Sequence, residues 1–185
     1  MTPPSSLAYG RPATSSKEFM TPPAAAIAAQ TDQWRSLPIH ERPGFLIRRL
    51  HQIHVALFVE ECAGENITPV QYSVLTALEH LGTTDQTALA HSVGLDRTNI
   101  ADVLARLHKR GLVSRRISSE DKRMKLALLT DSGHDTLARL SECASRAHLR
   151  TIEALEPQER QVFVEAMKRL VDANNDVGRA PLRLS

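Results

Sequence analysis

A mainly α-helical fold carrying one small β-wing is predicted by three observations. Apolar residues recur at helical spacing through most of the chain after residue 44. Between residues 84 and 107, two short helical stretches are joined by a turn glycine. Directly after them, residues 112–117 and 125–130 alternate apolar with polar or small side chains around a polar loop, as paired strands do. At 185 residues, 42% hydrophobic and 24% charged, the chain is long enough for one globular domain plus an extension.

Residues 1–43 hold seven of the ten prolines, at 3, 4, 12, 22, 23, 38 and 43, among many Ser, Thr and Ala, so a flexible arm is expected there. Pro22-Pro23 suits the start of one short helix, with Ile27 and Trp34 on a common face; Trp34 is expected to pack on the body or on a partner subunit. Residues 44–63 place Leu46, Leu50, Ile53 and Leu57 at spacings of four and three, flanked by Phe45 and Phe58, a stripe wide enough for two neighbours. Gly64 stops this helix. Thr68 then caps another, with Pro69 at its first position and Val70, Val74, Leu75 and Leu78 as its buried side, while Tyr72 and His80 are polar-tipped members. The turn at residues 82–86 has room for a short third strand.

The first of the two short helices spans about residues 87–92 and ends at Gly94, the residue best suited to the left-handed conformation. Asp96 caps the second, whose Ile100, Val103, Leu104 and Leu107 form one apolar stripe. Its opposite face presents Arg97, Thr98, Asn99, Asp102 and Arg106. A helix-turn-helix needs a small residue at the crossing, a turn glycine and apolar locks on both sides, and Ala90, Gly94, Leu95, Ile100 and Val103 supply them in order. The competing reading of these residues is an ordinary helical hairpin in an all-α core. The residues after Leu107 favour the helix-turn-helix: Gly111 ends the helix, and a ribbon with the polar tip 118–124 in that position is a wing.

Charge has the same outline. Residues 106–125 carry eight Lys or Arg (106, 109, 110, 115, 116, 122, 123, 125) against Glu120 and Asp121, a local +6 within a chain of net +2, so the remainder sums to −4. Such clustering on a helix end and a wing is the electrostatic footprint of phosphate binding. Beyond the wing, residues 131–155 repeat Leu137, Leu140, Ala144, Ala147, Leu149 and Ile152. Pro157 opens a further helix with Val162, Phe163, Ala166, Met167, Leu170 and Val171 on one side. Helices this apolar require a partner surface, and the tail 175–185 is expected to fray.

The chain resembles the MarR family of winged-helix transcription regulators. The matching residues are Gly111-Leu112-Val113 after the recognition helix, Asp121-Lys122-Arg123 as the Asp-x-Arg wing motif, and Leu129-Thr130 with Gly133 opening the next helix. The resemblance spans about residues 44–174 and implies three parts: dimerisation helices at 44–66 and 131–174, a winged helix-turn-helix DNA-binding domain at 67–130, and a homodimer on double-stranded DNA. Two recognition helices would then enter successive major grooves roughly 34 Å apart on a pseudo-palindromic operator.

Within that frame Arg97 suits the two acceptors of guanine, Asn99 suits adenine, and Thr98 suits a thymine methyl or a phosphate. Arg106 and Lys109 are expected to reach the DNA backbone. By resemblance Arg123 enters the minor groove, oriented by Asp121 through a charge-assisted bond. Lys122, Arg115, Arg116 and Lys125 would add salt-dependent affinity. The resemblance also implies a small-molecule effector, an aromatic acid, held between platform and winged domain. Arg48, Arg49, His51, His54 and Tyr72 are the candidates to hold it, with His51 and Tyr72 favoured. Repression is the commoner behaviour in the family.

Other classes find less support. There is no phosphate-cradling glycine loop, nucleophile elbow or paired-carboxylate motif, so no enzyme activity and no cofactor are expected. No apolar run reaches membrane-spanning length and no signal-peptide pattern opens the chain, so a cytoplasmic protein is expected. Cys62 and Cys143 lack metal or redox spacing and are expected to fill apolar space without a disulfide. A redox-responsive regulator of the same fold would need an activated thiolate, which Glu60 and Glu61 beside Cys62 and Glu142 beside Cys143 disfavour, although Arg146 lies one turn from the latter. A metal-responsive one would rest on His51 and His54, with Glu60, Glu61 or His148. A non-specific architectural DNA binder is the remaining alternative.

Overall fold

The computed structural model describes residues 32–119, 121–178 and 180–182. Most of the expected arm, including residues 24–31 of the helix expected after Pro22-Pro23, lies outside the described residues. The chain divides into two units, Met1–Phe45 and Leu46–Ser185. In the first, residues 32–36 are helical and Ile39–Glu41 form a 3-10 turn. The Arg42 guanidinium closes this piece by donating to the carbonyls of Leu37 and Arg35, both at 3.0 Å.

The main elements run α1 (Pro43–Glu61), α2 (Pro69–Leu81), β1 (Thr84–Asp85), α3 (Gln86–Val93), α4 (Arg97–Lys109), β2 (Val113–Ile117), β3 (Lys125–Leu129), α5 (Asp131–Ile152) and α6 (Pro157–Asn174). The three strands form an antiparallel sheet in the order β1-β3-β2, with Thr84 opposite Ala127 and Val113 opposite Leu129. Thus the turn before the helix-turn-helix does supply a third strand, and the wing is the β2–β3 ribbon. Among the described residues, no helix is long and apolar enough to cross a membrane.

Local chemistry explains the boundaries. Thr68 and Gln71 form a reciprocal cap at α2, each side chain bonding the other's backbone N–H at 3.3 and 3.0 Å. That draws Gln71 inside and leaves Val70 42% exposed, reversing the expectation that Val70 is buried. Asp85 caps α3 and Asp96 caps α4, each through two backbone amides. Gly94 ends α3 at φ 64°, the left-handed turn expected of it. Gly133 has a different role: a Cβ there would meet the Leu112 carbonyl oxygen at 2.1 Å, so only glycine lets α5 start against the entry to β2. The core runs through all the helices of the winged domain and into α1 and α5, with Phe58, Leu75, Leu78, Leu89, Ile100, Leu104, Leu107 and Leu140 fully buried.

The seam between α1 and α5 departs most from expectation. Cys62 and Cys143, 81 residues apart in sequence, are joined by a disulfide with Cα atoms 5.4 Å apart. The expectation of unpaired, space-filling thiols is corrected: packing brings the end of α1 against the middle of α5, a proximity with no local sequence signature. Ion pairs flank the bond. Glu61 accepts from Arg146 at 2.8 Å and from Arg150 at 2.6 Å, Arg150 also reaches Glu60 at 3.0 Å, and Glu65 takes both branches of Arg139.

In contrast α6 buries no residue within this chain, leaving Val162 63%, Leu170 60% and Val171 52% exposed. Leu46, Ile53 and Leu149 are also at least 40% exposed. The tail, expected to fray from residue 175, is instead held at its described residues Pro181 and Leu182. The Asn175 side chain bonds both backbone groups of Leu182, at 2.8 and 2.9 Å, and Pro181 lies against His91.

Candidate nucleic-acid interface and ligand cavity

The recognition face is set by the α4 cap. Asp96 receives the backbone amides of Thr98 and Asn99 at 3.0 and 2.9 Å, fixing the first turn that presents Arg97, Thr98 and Asn99 to solvent. The Asn99 side-chain amide also donates to Asp96 at 2.7 Å, so one of its two amide hydrogens is already committed. Gln86 of α3 reaches the Arg97 carbonyl at 3.4 Å and ties the two helices together. Arg106 and Lys109 are exposed further along α4.

At the wing tip, Asp121 accepts from the backbone N–H of Arg123 at 2.8 Å. The expected charge-assisted bond to the guanidinium is therefore replaced by a backbone brace, because the tight turn brings that amide within reach first. The Ser118 amide bonds the Met124 carbonyl at 2.9 Å to close the tip. Lys122, Arg123, Arg116 and Lys125 are exposed and Arg115 is half-buried. Arg110, counted with this basic cluster, turns away and donates to the carbonyls of Asn66 and Glu65 at 2.7 and 2.8 Å, anchoring the end of α4 to the α1–α2 turn.

A cavity of about 680 Å³ opens on the other side of the helix-turn-helix. Its walls are His54 and Phe58 from α1, residues of α2 from Pro69 to Leu81, Ser92 and Val93 from α3, His148 from α5, and Leu182 from the tail. Of the sequence candidates, the structure brings His54 and Tyr72 to this lining; His51, Arg48 and Arg49 lie outside it, and Arg49 instead points to Gln52 at 3.5 Å. One helix cannot turn Arg48, Arg49, His51 and His54 all to one side. Sequence reasoning did not assign His80 and His148 to this cavity, because they reach it from α2 and α5, helices other than that of His54.

His54 and His148 stack, ring centroids 5.2 Å apart and planes 11° from parallel. Thr151 holds His54 at Nδ1, 2.9 Å away. Burial first, then the neighbouring His148 and His51, lower the His54 pKa below its ordinary value. Among the described residues, no three His, Cys, Asp or Glu side chains converge as a metal site.

Comparison with known proteins places this geometry. The family model described as MarR matches residues 67–125, from the end of the α1–α2 connection to the first residue of β3. The PcaV transcriptional regulator of Streptomyces coelicolor, solved with its natural ligand, is 36% identical with a TM-score of 0.69 over 75% of this chain and 97% of that one. This chain belongs to the MarR family.

Other MarR-like relatives are the HTH-type transcriptional repressor NicR of Pseudomonas putida and BpsR of Bordetella bronchiseptica. NicR is 26% identical over 76% of this chain and 89% of its own length. BpsR, whose DNA binding is regulated by 6-hydroxynicotinic acid, is 27% identical with a TM-score of 0.69 over 74% and 97%. The protein is accordingly a DNA-binding transcriptional regulator of mainly helical fold with a three-stranded wing sheet, in a family whose relatives respond to aromatic compounds.

Proposed function

We propose that this MarR-family regulator is a homodimeric repressor that binds a pseudo-palindromic operator and is released by a small aromatic acid. The observation that carries the reading is the cavity, which touches α1 and α5 of the platform and, through Ser92 and Val93, the first helix of the helix-turn-helix. A ligand there contacts both bodies at once, so its occupancy changes the position of α4 relative to α1 and α5. In this reading Arg97, Thr98 and Asn99 enter the major groove, Arg123 enters the minor groove, and Arg106, Lys109, Arg115, Arg116, Lys122 and Lys125 meet the backbone. The exposed apolar faces of α1 and α6 supply the dimer surface.

The test is binding of the purified protein to the DNA upstream of its own gene at fixed salt, with and without 6-hydroxynicotinate or benzoate. Specific binding exceeding that to random DNA by about 10³ or more, and lost on adding one acid, is expected. Equal affinity for random DNA would leave an architectural DNA binder.

The disulfide favours a second, redox-responsive reading. Cys62 lies one turn beyond Phe58, a cavity wall, so reduction would loosen the seam beside the ligand. Release by a thiol reductant in place of an acid would select it.

A further inference from the structure

Among the described residues, the cavity lining contains no Lys, Arg, Asp or Glu; its ionisable members there are His54, His80, His148 and Tyr72. Among these residues, imidazoles and a phenol are what an anionic effector finds to meet its charge. The hydrogen bonding of His54 decides what that imidazole offers. Thr151 spends its hydroxyl hydrogen on the Ala147 carbonyl at 2.7 Å, so toward His54 its oxygen accepts, and the His54 Nδ1 carries a proton. In the neutral ring the other nitrogen, Nε2, then holds a lone pair, which repels a carboxylate and attracts one only after protonation.

We propose that the stacked His54–His148 pair is the anion receptor of the cavity, and that a carboxylate effector binds there together with one proton. This rests on the reading of the cavity as the effector site. The stack limits the uptake to one proton rather than two: imidazoles 5.2 Å apart cannot both be charged without strong repulsion, while a neutral ring face beside a charged one is favourable. Among the described residues, the groups facing the pair are His51 on α1, and Tyr72 and His80 on α2; α3 contributes Ser92 and Val93 and the tail Leu182, none ionisable, and Arg150 on α5 is committed to Glu60 and Glu61. The lowered pKa of His54, from burial and then from His148 and His51, agrees with this, since the proton is taken up with the ligand. The regulator would thus read acid concentration and pH as a product.

The test is calorimetric titration of the whole protein with benzoate and with phenol between pH 6.5 and 8.5, in buffers of different ionisation heat. Uptake of about one proton per benzoate is expected, with Kd rising up to about tenfold per pH unit, and a pH-independent Kd for phenol, which stays neutral over this range. His54→Gln should remove the pH dependence for benzoate. Thr151→Val, which frees the ring to change tautomer, should reduce the proton uptake and serves if His54→Gln does not fold. Benzoate binding without proton uptake, or with the same pH dependence in His54→Gln, overturns the proposal. Phenol binding with no benzoate binding at any pH overturns the receptor but leaves the effector cavity standing, and binding of neither removes both.

Discussion

The Asp121 carboxylate holds the backbone amide of Arg123 at 2.8 Å, so the wing tip is shaped through the chain and Arg123 stands exposed at its end. Replacing Arg123 by Ala should weaken operator binding by roughly 1–3 kcal/mol, about 5- to 150-fold, with the oligomeric state unchanged in sedimentation. Asp121→Ala should also weaken it, by loosening the turn while the guanidinium remains. If Arg123→Ala binds as tightly as the native protein, the wing has no part in affinity.

Arg97 occupies the first helical position after a doubly bonded cap, where its side chain leads α4 outward. Arg97→Ala should relax preference at one base pair of each half-site, again by roughly 1–3 kcal/mol, when measured against an operator substitution series. A uniform loss across all sequences, with the salt slope reduced by about one, would make it a phosphate contact.

In the proposed dimer a second copy covers Val162, Leu170 and Val171 of α6, which this chain leaves exposed. A Leu170→Asp substitution puts a charge into that surface and should convert dimer to monomer in analytical ultracentrifugation, weakening operator binding by more than about tenfold. An unchanged sedimentation coefficient would move the dimer surface elsewhere.

Cys62 and Cys143 close an 81-residue separation in the seam of α1 and α5. Breaking the bond by reduction, or by Cys143→Ala, should cost about 2–4 kcal/mol and lower the melting temperature by roughly 5–15 °C. Melting curves with and without dithiothreitol would measure this, and coincident curves would show that the bond adds nothing to the seam.

Acid should loosen the same region in two stages. Below about pH 6.5 the unfolded chain takes up a proton that folded His54 resists, because burial and then His148 and His51 lower its pKa, so stability falls as pH drops through that window. Arg146 and Arg150 hold the Glu61 carboxyl, and Arg139 that of Glu65, below the ordinary 4.5. Their stabilisation is complete above that value and is lost as pH falls through the depressed folded values. Melting temperature measured from pH 7 to 3 should show both declines, with Glu65→Gln flattening the lower one. A rise in stability between pH 7 and 5 would contradict the His54 environment.

Legibility tracked how local the cause was. The caps at Thr68 and Asp96, the glycine turn at Gly94 and the α4 stripe were readable because each depends on residues within one turn of one another. Even the short strand before α3 was foreseeable as the connection a wing requires. Val70 was misassigned because the reciprocal Thr68–Gln71 cap rotates the first turn of α2, an energy that periodicity does not contain.

The sequence by itself determined the winged fold, its basic edge and the residues facing DNA in the proposed reading, since hydrophobic period, capping and charge density act along the chain. Only the tertiary structure decided that Cys62 meets Cys143, that Arg110 anchors a turn, and that His54 shares a cavity with His148 while His51 does not. The physical reason is directional: a helix sends neighbouring residues outward about 100° apart, so one side chain's surroundings belong to helices distant in sequence, and packing alone brings them together.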